Sequence, residues 1–276
     1  MKILTEQIQE FANHLSREEK SDATQEKYLR DVQAFCVYTG GQEITKELVV
    51  AWKKQLVENG YAVRSINSML ASVNSLLDFM GLSGCKVKNI RTQRQTYCAE
   101  DQELSKSEYL RLLAASKHNE QLNLVIQTIC GTGIRVSELR YFTVEAIRRG
   151  EVTVDCKNKT RMILVPGKLK NILLNYAKRQ GVTAGLIFVT RNGKPLNRSN
   201  IWAAMKKLCE VAGVKPSKVF PHNLRKLFAR TFYGIEKDIA KLADILGHAS
   251  INTTRIYIVT TGAEHKRKME HMRLII

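Results

Sequence analysis

Residues 152–165 read Val152-Thr153-Val154-Asp155-Cys156-Lys157-Asn158-Lys159-Thr160-Arg161-Met162-Ile163-Leu164-Val165. Val152–Asp155 and Arg161–Val165 are short runs of β-formers, and the polar segment between them is turn-like. This is the pattern of a β-hairpin. Leu186-Ile187-Phe188-Val189, followed by the turn signal Asn192-Gly193, is a third candidate strand. Outward from this region the period becomes helical. Upstream, Ser105-x-x-Glu108 fits a capping box, and an apolar helix covers Leu122–Cys130. Downstream, helices are expected over Ser199–Val211, Pro221–Tyr233, Lys237–Leu246 and Ser250–Val259. Strand–helix–strand units do not recur, which excludes a doubly wound sheet. The expected fold is mainly α with a small antiparallel β-sheet.

The first 95 residues read as helices only. Ile3, Ile8, Phe11 and Leu15 recur at helical spacing. Ser21 or Asp22 can cap a second helix whose stripe is Tyr28, Leu29, Val32, Phe35 and Cys36, ended by Gly40-Gly41. A third helix runs from Thr45 to Glu58, and a fourth from Ala62 to Met80. The outer face of the fourth carries Arg64, Ser65, Asn67, Ser68 and Asn74, short polar groups suited either to a phosphate backbone or to solvent. Periodicity then fails between Gly81 and Glu103, a stretch with Lys86, Lys88, Arg91 and Arg94. The expected organisation is a helical domain over 1–81, a basic linker over 82–103, and a larger domain over 104–276 ending in a tail, 263–276.

Charge narrows the functional class. The 276 residues carry 44 Lys and Arg against 26 Asp and Glu, a net charge of +18. Residues 98–276 hold 31 basic and 15 acidic side chains, whereas residues 1–97 are nearly balanced at 13 and 11. Such an excess favours a polyanionic partner, because Lys and Arg displace the counterions condensed on phosphates. No apolar run approaches the ~20 residues of a membrane span, and Met1–Glu6 lacks the apolar core of a secretory signal. The six cysteines (Cys36, Cys85, Cys98, Cys130, Cys156 and Cys209) are scattered without a C-x-x-C pair, so neither a zinc ribbon nor a disulfide framework is expected.

Three segments carry candidate chemistry. Gly131-Thr132-Gly133 lacks the Lys-Ser/Thr of a phosphate loop. Its turn presents Arg135 at a helix start, with Glu138 three residues on and on the same face. A plain helical ion pair has the same spacing. His222 and Arg225, in Pro221-His222-Asn223-Leu224-Arg225, share a face in the same way. His248 follows Gly247 at a helix end, where the dipole also suits a capping cation. Tyr257 lies between Ile256 and Ile258, a setting equally suited to the core, and it is one of nine tyrosines.

Read in order, Arg135, the lysine hairpin, His222-x-x-Arg225, Gly247-His248 and Tyr257 closely resemble the tyrosine recombinase (phage integrase) family. The resemblance spans about residues 100–260, and the helical N-terminal part is similar to that family's core-binding domain. It implies that Arg135 and Arg225 are the catalytic arginines, with Glu138 in support. It implies that Lys157 is the catalytic lysine, with Lys159 two residues away as the other candidate. His222, His248 and the nucleophile Tyr257 complete the set. Many members carry a second histidine after the H-x-x-R arginine; this chain has Lys226. The implied reaction is attack by tyrosine on a DNA phosphodiester, giving a 3′-phosphotyrosyl intermediate without cofactor or metal. No carboxylate cluster suggests a two-metal nuclease.

The resemblance further implies a two-domain clamp on double-stranded DNA at specific sites. It implies a monomer in solution, a homotetramer on synapsed DNA, tail exchange between neighbours, and a cytoplasmic, nucleoid-associated protein, with an accessory DNA-bending or directionality protein as a possible partner. Candidate DNA contacts are Arg64, Asn67, Lys86, Lys88, Lys159 and Lys226. No additional arm-binding domain is expected. Three competing readings are a type IB topoisomerase, a non-catalytic helix-turn-helix regulator built on residues 237–258, and a nucleic-acid coat protein. The two non-catalytic readings predict binding without a covalent intermediate.

Overall fold

The computed structural model describes residues 3–92, 102–156, 159–259 and 262–272. The chain divides into two compact units, Met1–Arg94 and Gln95–Ile276.

The first unit is four helices: α1 (Thr5–Arg17), α2 (Asp22–Thr39), α3 (Lys46–Glu58) and α4 (Val63–Phe79). Their ends follow local chemistry. Thr45 Oγ1 accepts from Leu48 N at the start of α3, and Gly40 adopts φ +54° to end α2. Ile66, Leu70, Val73, Leu76 and Leu77 of α4 are fully buried and form the spine of the unit. A polar knot joins α2 to α4. Buried Asp31 accepts from Lys27 Nζ at 2.6 Å and from Ser72 Oγ at 2.9 Å.

The outer face of α4 has a job that its composition did not reveal. Asn74 pairs with both main-chain groups of Val87, at 2.9 and 3.1 Å. Asn67 does the same for Ile90, at 2.9 and 2.8 Å. A side-chain amide matches a peptide group donor for acceptor, so these two residues continue a strand-like ladder. Lys53 Nζ adds a bond to Lys88 O at 2.6 Å. The beginning of the expected linker is therefore built into the first unit, with Val87 in its core.

The second unit contains α5 (Lys106–Ala115), α6 (Glu120–Thr132), α7 (Val144–Arg149), the strands β1 (Glu151–Cys156) and β2 (Lys159–Leu164), α8 (Gly167–Arg179), α9 (Arg198–Ala212), α10 (Pro221–Glu236), α11 (Ile239–Leu246), α12 (Ile251–Ile258) and α13 (Gly262–His271). The capping box at Ser105 forms as expected, with Ser105 Oγ accepting from Glu108 N and Glu108 accepting from Ser105 N. β1 and β2 are antiparallel in the register Val154↔Arg161 and Val152↔Ile163. Val152, Val154 and Ile163 point into the core.

The third strand does not form. Leu186 and Val189 make isolated bridges to Thr143 and Pro195, and Ile187 N donates to Phe142 O at 3.0 Å. Ile187 and Phe188 are both buried and lie in a bend between the two bridges, so the segment is a buried plug without strand alternation. Helices α7 and α8 add to the elements read from the sequence.

Candidate active site

The site is assembled at the end of α11. The last carbonyls of a helix lack intrahelical partners and carry the negative end of its dipole. Three arginines from three other segments use them. Arg161 donates to Ile245 O, Arg225 to Leu246 O at 2.6 Å, and Arg135 to Gly247 O at 3.4 Å. Gly247 holds φ +64° to close the helix, and a Cβ there would lie 2.5 Å from Arg161 Cδ. Glycine is thus required twice, for conformation and for space.

Glu138 lies between two of these guanidinium groups and is fully buried. Its Oε1 accepts from Arg135 Nη1 at 3.0 Å, and its Oε2 from Arg161 Nη2 at 2.6 Å and from Arg135 N at 2.7 Å. Arg135 caps a short 3₁₀ turn, Val136–Tyr141, rather than an α-helix. Its side chain stays 43% exposed, so it can still meet a ligand.

Arg225 is 1% exposed. Nη1 donates to Gly133 O, and Nη2 approaches His248 Nε2 at 3.0 Å. Burial, then the nearby charge of Arg135, lowers its pKa to about 10, which leaves it charged at neutral pH. Its Nε is buried without a hydrogen-bond partner among the described residues. Gly133, at φ +66°, leaves room for the Phe228 ring, which a Cβ would meet at 2.4 Å.

Tyr257 lies between the two histidines. Its ring centroid is 5.1 Å from that of His222 and 5.0 Å from that of His248, the latter nearly parallel at 13°. It is 6% exposed and shares a small apolar cluster with Ala229, Leu242 and Leu246. The core setting suggested by Ile256 and Ile258 is therefore real, and it coexists with the histidine contacts. His248 Nδ1 lies 2.9 Å from Thr254 Oγ1. Desolvation, then Arg225, Arg135 and Arg161, lowers the His248 pKa to about 4. His222 has an exposed edge. Its inner side is desolvated, and Lys226, Arg225, Arg135 and Arg198 add repulsion, which also lowers it to about 4. Both imidazoles are neutral at pH 7.

A cavity of about 720 Å³ opens beside Arg135, His222 and Arg225, with Trp202 and Arg198 of α9 on its wall. Among the described residues no group of three or more His, Cys, Asp or Glu is placed to hold a metal ion. No described helix is long and apolar enough to cross a membrane.

The structure thus brings Arg135, Glu138, His222, Arg225, His248 and Tyr257 together. Lys157 lies outside the described residues, and Lys159 opens β2 opposite Cys156. The remaining candidates make other contacts or none at this site. Arg64 is exposed on α4, and Asn67 is committed to the Ile90 main chain. Lys86 pairs with Asp78 at 2.7 Å. Lys88 is exposed, and Lys226 lies 3.7 Å from buried Glu103. The Nε2 atom of His248 faces Arg225. Arg161 and Thr254 were not anticipated. The signal for Arg161 was parity: it shares the inward face of β2 with Ile163, where a charge is unexpected.

The phage integrase family profile matches residues 102–263, and the phage integrase N-terminal SAM-like domain matches residues 8–82. The chain belongs to the phage integrase family and is a tyrosine-type site-specific recombinase, a DNA strand-transferase. Among curated relatives it is similar to the tyrosine recombinase XerA of Pyrococcus furiosus, 29% identical over 281 residues, covering 99% of this chain and 96% of the relative. Among solved structures it resembles a lambda integrase dimer bound to a COC′ core site, with TM-score 0.75, 18% identity and coverage of 95% and 97%. It also resembles a lambda integrase tetramer bound to a Holliday junction, with TM-score 0.74, 17% identity and coverage of 93% and 77%. A regulator built on residues 237–258 is not favoured. Helices α11 and α12 do flank a turn, but that turn is packed by Arg161 and directs His248 toward Arg225.

Proposed function

We propose that Tyr257 is the nucleophile of DNA strand cleavage and that Arg135, Arg225, His222, His248 and Lys157 serve it. The observation that carries this reading is the convergence of four separate segments, the Arg135 turn, β2, α10 and α12, on the carbonyl end of α11 and the His248 that follows it. In the reaction, Tyr257 Oη forms a bond to phosphorus while the bond to the 5′ oxygen breaks. His222, neutral at pH 7, accepts the tyrosine proton. Lys157, from the hairpin, donates a proton to the departing 5′ oxygen, with Lys159 as the alternative donor. Attack of a 5′ hydroxyl on the 3′-phosphotyrosyl bond reverses the sequence and rejoins a strand.

Charge balance supports the assignment. Arg135, Arg161 and Arg225 together with Glu138 leave two positive charges in the site. The pentacoordinate transition state gathers about two negative charges on its nonbridging oxygens, and fixed guanidinium groups stabilise it without reorganising. The buried arginines are held before DNA arrives, so their ordering cost falls on folding.

We further infer a monomer in free solution whose two units, residues 1–94 and 95–276, both bind duplex DNA. Four copies would assemble on two synapsed sites, with the tail 263–276 passing to a neighbour. The lambda integrase tetramer on a Holliday junction supports the four-copy assembly by analogy. The product is integration, excision or inversion of DNA, in a cytoplasmic, nucleoid-associated setting, with room for an accessory DNA-bending or directionality protein.

The test uses nicked suicide duplexes built from DNA flanking the gene, in EDTA. A denaturation-resistant protein–DNA adduct is expected from the native chain and none from Tyr257→Phe. An adduct that survives Tyr257→Phe overturns the nucleophile assignment.

A further inference from the structure

Arg225 Nη2 can only donate a hydrogen bond, since a guanidinium has no acceptor. The His248 Nε2 atom, 3.0 Å away, must therefore accept and carry no proton. The proton of the neutral imidazole then sits on Nδ1. Its partner is Thr254 Oγ1 at 2.9 Å. Thr254 is fully buried, which leaves no place for solvent to substitute. It also lies on α12 three residues before Tyr257, so one helical turn carries both the acceptor and the tyrosine that stacks on the same imidazole.

We propose that Thr254 is a positioning residue of the cleavage reaction. Its hydroxyl accepts the Nδ1 proton of His248 and holds the imidazole in the one neutral tautomer that can receive Arg225. The inference deepens the site reading above and rests on it. The chain of contacts runs from Thr254 to His248 to Arg225, and a second contact of the same ring runs to Tyr257. The orientation of one imidazole therefore sets the position of the nucleophile relative to a phosphate-binding guanidinium. Without the hydroxyl, the Nδ1 proton is buried unpaired, and the alternative tautomer would point a proton at Arg225. Either outcome loosens Arg225 and the Tyr257 stack together.

The experiment compares the native chain with Thr254→Val, Thr254→Ser and Tyr257→Phe. Single-turnover cleavage of a suicide duplex, DNA affinity and the imidazole ¹⁵N signals of His248 are measured on each. Thr254→Val should cleave at least about tenfold more slowly with unchanged DNA affinity, while Thr254→Ser stays within about threefold of native, as for other lost orienters of a functional histidine. The His248 signals should show a protonated Nδ1 and a bare Nε2 in the native chain and in Thr254→Ser, but not in Thr254→Val. Native-rate cleavage by Thr254→Val overturns the proposal. So does a native ¹⁵N pattern with the proton on Nε2, a reading that needs no variant to fold. If Tyr257→Phe still forms the adduct, the site reading itself fails. If Tyr257→Phe is inactive and Thr254→Val is not, only the Thr254 inference fails.

Discussion

Glu138 is a buried carboxylate whose two oxygens are shared by Arg135 and Arg161. Removing one partner of such a group leaves charge uncompensated in a low-dielectric setting. Arg161→Met should lower stability by about 3 kcal/mol by that principle, read as a shift in urea midpoint at constant slope. It should also slow cleavage, because Arg135 would then draw Glu138 alone and lean away from the cavity. Arg161→Lys keeps the charge but cannot reach both Glu138 and Ile245 O, and should fall between. The histidines supply a pH test. His222 and His248 both titrate at about 4 in the fold, against about 6.5 for an unfolded chain. Between those values the unfolded chain binds more protons, so stability is full above about 6.5 and declines as pH falls toward about 4. Urea midpoints at pH 7, 6 and 5 should decrease in order, and His222→Asn should flatten that trend. Of these residues, Arg135, Glu138, His222, Arg225, His248 and Tyr257 were singled out through the resemblance to the tyrosine recombinase family, since the spacing of each pair also fits a plain ion pair or a core residue. Thr254 was not, because a threonine in a helix carries no signal until its imidazole partner is placed beside it.

At the scale of elements, the informative pieces are helix ends. The carbonyl end of α11 gathers three guanidinium groups, and Gly247 makes the approach possible. Gly247→Ala should destabilise the fold and reduce cleavage, since it strains a φ of +64° and drives a methyl into Arg161. Thermal unfolding and adduct formation would both record the change. In the first unit, Asn74→Ala should leave both main-chain groups of Val87 unpaired and cost about 1–3 kcal/mol, measured as a shift in urea midpoint. Caps and breaks were well marked in the sequence: Ser105-x-x-Glu108, Thr45, Gly40 and Gly247 each end or begin a helix as expected. The polar face of α4 was open between phosphate and solvent. Its asparagines take a third partner, the main chain of residues 87–90, which lies thirteen to twenty-three residues away and leaves no local trace. The β-like composition of Leu186–Val189 was read as a strand, but the segment makes isolated bridges to Thr143 and Pro195 and a bond from Gln121 of α6. Helix α8 was passed over although Leu169, Leu173, Tyr176 and Ala177 mark its buried stripe.

At the scale of the whole molecule, the net charge of +18 governs encounter with DNA. Affinity for duplex should fall by at least about 10³ between 50 and 200 mM salt if six or more phosphates are engaged, a slope that titration at several salt concentrations would give directly. Deleting residues 263–276 should impair synapsis more than binding to a single site. Equal loss of both would count against exchange of the tail between copies. The amino-acid sequence by itself determined the helical character and the hairpin, and through its family resemblance it pointed to the class of chemistry and to the candidate residues. Those properties reside in local period, in capping residues, and in a set of side chains whose identities and order survive without coordinates. Tertiary structure alone decided which carbonyls hold the arginines, which hydroxyl orients His248, and that Asn67 and Asn74 bind main chain. Those choices depend on groups far apart in the chain meeting at hydrogen-bonding distance, and that proximity is a product of packing the core, not of any pattern within a single segment.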